Sequence, residues 1–232
     1  MNILQDDDFL KDNMMGPNAV KMLRELLHGL DFSGVSRILD LGCGKGLTSI
    51  HLAETFPAAV FAMDLWIPAS ENYGRFRSFG LDGRIVPLHA DALDPPFAEG
   101  YFDAAVSVDA YHYFGRDPDY LDSHLAPLVK EGGLIALAFP GMKEDLSTLP
   151  AEMARSWTAE DIATMPSIAW WTALFSQSKR AKLLSISEMG CFDEAWRDWL
   201  ECDNPYAVND RRAMEAGAGK YMNLIAAILR RV

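Results

Sequence analysis

The stretch Arg37-Ile38-Leu39-Asp40-Leu41-Gly42-Cys43-Gly44-Lys45-Gly46 joins an apolar run to an acid and three alternating glycines. The run predicts a strand. The glycines predict a sharp turn into a helix, because residues without a Cβ accept positive φ and let a ligand lie against bare backbone. Their spacing then separates ligand classes. A dinucleotide-binding loop reads G-x-G-x-x-G and seats a pyrophosphate on the following helix N-terminus, where a carboxylate at the strand tip would repel it. Here the spacing is G-x-G-x-G and Asp40 stands two residues before the first glycine. The expected site therefore faces a positive group, such as the α-ammonium of a nucleoside cofactor that carries no phosphate.

Further strands follow at regular intervals. Phe56 to Leu65 reads as a second strand that places Asp64 eighteen residues past Gly46, where a carboxylate can accept both hydroxyls of a ribose. Arg84 to Ala92, Tyr101 to Asp109 and Lys130 to Leu137 read as the third, fourth and fifth strands.

In this order, over roughly residues 35 to 140, the segments resemble the motifs of class I S-adenosylmethionine-dependent methyltransferases; Asp40 to Gly46 matches their first motif, D/E-x-G-x-G-x-G. The resemblance implies an α/β fold with a doubly wound, mostly parallel seven-stranded sheet of Rossmann-like type. It implies S-adenosylmethionine as cofactor, held by Asp40, Gly42, Cys43, Gly44, Asp64, Leu65, Asp91, Ala92 and Asp109. Asp91 corresponds to the acid that accepts the adenine amino group, and Asp109 to a group that meets the methionine ammonium or the acceptor. Cys43 reads either as a backbone contact or as a small residue that fits the turn. The implied function is methyl transfer to a small-molecule acceptor. A fold-level likeness does not supply that acceptor, so oxygen, nitrogen, sulfur and carbon all stay open. The alternatives are a cofactor-binding sensor or partner subunit without transfer and, disfavoured by Asp40 and the glycine spacing, a nicotinamide oxidoreductase.

The flanking segments complete a single domain over residues 1–232. Val20, Leu23, Leu26, Leu27 and Leu30 recur at helical spacing over residues 14 to 30, and the resemblance implies a mobile lid at Met14, Met15 and Asn18 where that helix opens. Tyr120 to Lys130 predicts the helix before the fifth strand. From 141 to 180 the alternation gives way to a helical insertion rich in Met and Trp. Thr158 and Asp161 form a capping box there, with Trp157 and Ile162 as its hydrophobic staple. Leu183 to Ser187 and Met222 to Leu229 suit a sixth strand and an antiparallel seventh, with a helix from Asn204 to Gly219 between them.

Methyl transfer from a sulfonium depends mainly on holding the acceptor near contact distance and excluding water. Loops at the carboxyl ends of parallel strands border the ligand crevice, so Asp109 to Gly115 is the first place to look for catalysis. His112 reads as a general base or positioning group, or as a histidine bonded to backbone. Tyr113 and Tyr111 read as orienting groups, with one of the two turned to the core. Trp66 could cover the adenine, and Trp157, Trp170 and Trp171 could wall an apolar or aromatic acceptor pocket, though each suits core filling as well. Asp103, at the far end of its strand, reads as structural, and Lys45 as solvated.

Charge narrows the partners. With 21 Lys and Arg against 33 Asp and Glu, the formal charge is -12, which gives a polyanion little attraction and makes nucleic acid an unlikely acceptor. Asp6-Asp7-Asp8 is opposite in sign to the basic start of a secretory signal, and no run approaches the roughly 20 apolar residues of a membrane span. The expectation is a cytoplasmic protein that does not engage a membrane. Cys43, Cys191 and Cys202 lack paired spacing and read as free thiols, and no His, Cys or acid set has metal-ligand spacing, so no metal is expected. Exposed Trp or Met in the insertion would serve a homodimer as readily as a cover over the site.

Overall fold

The computed structural model describes residues 2–232. Asp6 caps α1 (Asp7–Asn13) by accepting the Phe9 amide, and Asn18 caps α2 (Ala19–Leu26) by accepting the amides of Val20 and Lys21. The helix expected over 14 to 30 is thus shorter at both ends. Pro17 disfavours helical backbone at Gly16, Asn18 starts the turn, and the chain reverses at Gly29, whose φ is 79°. Residues 14–17 form a non-helical strap between α1 and α2.

The main alternation then begins with β1 (Arg37–Leu41), α3 (Leu47–Thr55), β2 (Ala59–Asp64), α4 (Ala69–Ser78), β3 (Ile85–His89), β4 (Phe102–Val108) and α5 (Tyr111–Phe114). It continues through β5 (Val129–Met142), α6 (Ala159–Ala163), α7 (Ile168–Phe175) and β6 (Ala181–Glu188), and ends with α8 (Phe192–Leu200), α9 (Pro205–Glu215) and β7 (Met222–Arg231). The seven strands lie in the order β3-β2-β1-β4-β5-β7-β6. The ladders β3–β2–β1–β4–β5 are parallel, and β7 runs antiparallel to both β5 and β6. The expected doubly wound, mostly parallel sheet is therefore present. Pro87, which has no amide to donate, is tolerated because β3 is an edge strand.

Winding reverses between β1 and β4, where Ile38 pairs with Ala104 and Asp40 with Val106. Such a reversal leaves a crevice at the carboxyl ends of the strands. Side chains alternate along β1, so Ile38 packs in the core on the α2–α3 face while Leu39 and Leu41 join Tyr111, Phe139 and Trp171 on the other. Asp40 shares the face of Ile38, which decides its fate in the site.

Two boundaries differ from expectation. Tyr120 to Lys130 is not one helix: a π-helical turn (Leu121–Leu125) and a 3-10 turn (Ala126–Leu128) occupy it, because Pro127 removes an amide donor and the chain is already extended at Val129. β5 also runs on to Met142, paired there with Met222, so the segment between β5 and β6 begins at 143 rather than 141. Its capping box at Thr158 and Asp161 forms as expected. The helices α1 and α8 were not anticipated; α8 buries Ala195, Trp196 and Trp199 against the core. No helix among the described residues is long and apolar enough to cross a membrane.

Candidate functional site

A cleft of about 330 Å³ lies over the carboxyl ends of β1, β2 and β4, bounded by the glycine turn, Asn13 and the strap at residues 14–17, and the turns after β2, β3 and β4. Gly42, Gly44 and Gly46 all have positive φ, at 73°, 53° and 81°. A Cβ on Gly42 would overlap that of Ala110, so the turn can sit against the start of α5 only as glycine. At Gly44 a Cβ would stand 3.0 Å from Met15 Sδ and would fill the gap between turn and strap.

The turn's amides point back into the protein. Gly42 and Cys43 donate to the Met63 carbonyl at 2.8 and 3.1 Å, Gly46 donates to the Cys43 carbonyl at 2.9 Å, and Gly44 donates to Asp64 Oδ2 at 2.8 Å. A phosphate needs such amides free, so the turn suits a ligand without one. Cys43 also lines the cleft, where burial pushes its thiol well up and keeps it protonated. All three cysteines are free.

Asp64 organises one end of the cleft. Its Oδ1 accepts the amides of Trp66 and Ile67 at 2.8 and 2.9 Å, while Oδ2 holds only the Gly44 amide and keeps capacity for a hydroxyl donor. Leu65, Asp91 and Ala92 line the same end. Asp91 Oδ1 accepts the Leu93 amide at 2.9 Å, and the Tyr120 hydroxyl donates to the Ala92 carbonyl at 3.0 Å, which sets the turn after β3.

Asp40 is not where the reading of its motif put it. Its side chain is 0% exposed, behind the turn rather than on the cleft wall, because alternation along β1 turns it toward α3. There Oδ2 accepts the hydroxyls of Thr48 and Ser49 at 2.7 and 2.5 Å, and Oδ1 has no partner. Burial raises its carboxyl to about 6 against the lowering effect of these hydroxyls. It braces the turn to the first turn of α3 and does not line the cleft.

The turn after β4 divides its residues between core and cleft. His112, the expected base, is 1% exposed, does not line the cleft, and has no hydrogen-bond partner on either ring nitrogen. Burial, then Arg116, pushes it down to about 3, so it is a neutral packed ring and the catalytic expectation is corrected. Tyr111 faces the core and Tyr113 faces the cleft, 51% exposed. Burial, then Asp109, Asp161 and Asp210, raises the Tyr113 phenol, which makes it a hydrogen-bond donor and not a base at neutral pH.

Asp109 lines the cleft beneath Gly16 with φ of 57°. Burial, then the charge of Asp210, raises its carboxyl to about 7, so it can hold or release a proton near neutrality.

Of the tryptophans, only Trp66 among the described residues reaches this cleft; its ring lies 5.5 Å from that of Tyr113. Trp171 is fully buried between Tyr111 and Phe175, Trp170 lines a separate cavity with Met142, Ile162 and Met165, and the Trp157 indole donates to Asp210. Those three do not wall the site. Asp103 is structural, holding the amides of Ser36 and Arg37 and pairing with Lys130. Lys45 is not simply solvated: it donates to the Asp12 carbonyl at 2.9 Å and pins α1 to the glycine turn. Arg75 adds a second pin, donating to Asn13 Oδ1 and Asn72 Oδ1 at 2.9 Å each, while Asn72 donates to the Gly44 carbonyl. Neither Arg75 nor Asn13 carries a local signal of this role, since the contact joins residues 62 positions apart. Among the described residues no group of three or more His, Cys, Asp or Glu is placed to hold a metal ion.

Residues 38–133 match the family described as Methyltransferase domain. Over 140 residues the chain is 29% identical to Methyltransferase GfsG of Streptomyces halstedii, covering 57% of this chain and 49% of that protein. Over 111 residues it is 34% identical to the probable phthiotriol/phenolphthiotriol dimycocerosates methyltransferase 2 of Mycobacterium ulcerans, covering 47% and 40%. The chain thus spans about half the length, or less, of these curated relatives. A solved geranyl diphosphate methyltransferase in complex with SAM shares the fold at a TM-score of 0.71 and 16% identity, over 92% of this chain and 84% of that one. The motif series, the strand order and these matches agree, and residues 38–133 form a methyltransferase domain similar to those of the class I S-adenosylmethionine-dependent methyltransferases.

Proposed function

We propose that the chain transfers a methyl group from S-adenosylmethionine to a small-molecule acceptor in the cleft beside the glycine turn. The observation that carries this reading is the turn itself: three positive-φ glycines whose amides point inward, with the carboxylates of Asp64 and Asp91 at one end. Asp64 has the free acceptor capacity a ribose hydroxyl needs, Asp91, Leu65 and Ala92 border the space for a base, and Gly42 to Gly44 leave bare backbone for a slender aliphatic chain. When bound, the cofactor supplies a methyl carbon on a positively charged sulfur that departs as a neutral thioether. The protein's task is then to align an acceptor and exclude water. The strap covers the cleft from the end of α1, which Lys45 and Arg75 pin to the glycine turn and α4, and Asp40 keeps the turn rigid from behind.

Leu65, Trp66, Leu93 and Tyr113 are 50%, 63%, 51% and 51% exposed around the mouth of the same cleft. Free apolar surface at a binding mouth favours an acceptor with an apolar or aromatic part. The free thiols and the absence of a disulfide among the described residues favour a reducing compartment, the cytoplasm. Thermal unfolding with S-adenosylhomocysteine tests the reading, since a ligand that binds only the native state raises the midpoint. A rise with S-adenosylhomocysteine and none with a nicotinamide dinucleotide is expected; the reverse, or no rise, overturns it.

A further inference from the structure

Two features of the cleft are left over when the cofactor has been accounted for. The first is Asp109, the only non-glycine residue with positive φ among the described residues. Its amide is fixed on the Ala138 carbonyl at 2.7 Å, which holds its side chain at the cleft. No donor among the described residues reaches its carboxylate and no ion pair includes it: Lys45 serves the Asp12 carbonyl, and Arg116 serves the carbonyls of His112 and Ala163. The charges that act on this corner, Asp161 and Asp210, have the same sign as Asp109. The second feature is the Trp66–Tyr113 pair, with rings inclined at 61° and largely exposed at the mouth. An unpaired carboxylate beside open aromatic faces is the surrounding that an organic cation prefers.

We propose that the methyl acceptor is an amine, with Asp109 as the counter-ion of its cationic form and the Trp66–Tyr113 pair as its aromatic wall. The proposal deepens the methyl-transfer reading and rests on it. A protonated primary or secondary amine first gives its proton to solvent, and the freed lone pair then forms the new N–C bond as the C–S bond breaks with its electrons left on sulfur. The nitrogen thereby becomes positive next to Asp109, and a primary or secondary amine then passes its proton to that carboxylate. An alcohol in the same place would donate a hydrogen bond but leave the charge of Asp109 uncompensated, and a carboxylate would be repelled.

The test uses a matched pair of probes, choline and its uncharged isostere 3,3-dimethylbutan-1-ol, titrated calorimetrically into the full chain with and without saturating S-adenosylhomocysteine. That ligand has a neutral sulfur and leaves the corner's charge unanswered. Choline is expected to bind at least about tenfold tighter than the isostere. Asp109→Asn is expected to remove most of this preference while leaving S-adenosylhomocysteine affinity within about twofold. Asn is among the residues that tolerate positive φ, so the variant keeps the local backbone. Equal binding of the two probes, or binding of neither, overturns the proposal. So does an Asp109→Asn variant that loses S-adenosylhomocysteine instead, since the carboxylate would then serve the cofactor's own ammonium. Failure of S-adenosylhomocysteine to bind at all overturns the methyl-transfer reading, and the titration of cofactor-free protein still reports on Asp109.

Discussion

Gly16 packs directly on the carboxylate of Asp109: a Cβ at position 16 would overlap Oδ2 and stand 3.2 Å from Cγ. The strap and the turn after β4, distant in sequence, thus close the same corner of the cleft. Gly16 has no positive φ to satisfy, so its requirement is space alone. Gly16→Ala should therefore displace either the strap or the Asp109 side chain. The expected result is S-adenosylhomocysteine affinity weaker by roughly tenfold, about 1.4 kcal/mol, with cooperative unfolding retained. Calorimetric titration of the variant checks this, and an unchanged affinity would mean that the strap closes without touching the site.

Asp210 joins the segment after β5 to the C-terminal helices. Its two oxygens accept the indole N–H groups of Trp157 and Trp199 at 2.9 Å each, and the adjacent Asn209 exchanges hydrogen bonds with Ser156. Trp199 is buried, so losing its acceptor leaves a donor unsatisfied away from water. Asp210→Ala should cost about 1–3 kcal/mol in stability. Asp210→Asn, which keeps one acceptor, should cost less. Urea unfolding of both variants measures the order, and a fully stable alanine variant would show that the two indoles find other partners.

What local chemistry decides was legible in advance. The glycine turn and the Thr158–Asp161 capping box each rest on residues within a few positions of one another, and the alternation of strands and helices behind the mostly parallel sheet is itself a local pattern repeated along the chain. The errors lie where a side chain's direction depends on distant contacts. Asp40 shares a face with Ile38 in an alternating strand, which already pointed it at α3, but its partners Thr48 and Ser49 come from the next element. α5 is a four-residue helix, too short for periodicity to separate buried His112 from cleft-facing Tyr113. Trp170 and Trp171 are neighbours on α7 that point to different places, one to a surface cavity and one to the core. The Asp210 clamp spans 53 and 11 positions, and no motif encodes it.

The carboxyl of Asp109 also makes a signed prediction for stability against pH. Its folded value is raised to about 7 by burial and by Asp210, whereas the unfolded chain returns it to the ordinary carboxylate range. Between those limits the native state binds more protons than the unfolded one, so stability falls as pH rises through this window and has lost the whole contribution above about 7. Asp40, raised to about 6, acts in the same sense over a narrower range. Asp109→Asn removes the larger contribution and suits the φ of 57°. The variant should be more stable than the parent by about 1–2 kcal/mol at pH 8, after allowance for partial solvation, and by less at pH 5. Urea unfolding at both pH values measures the two differences. A gap that shrinks toward pH 8, or a variant that is less stable there, would mean that Asp109 is held as a carboxylate by a partner and is not the free group at the floor of the cleft.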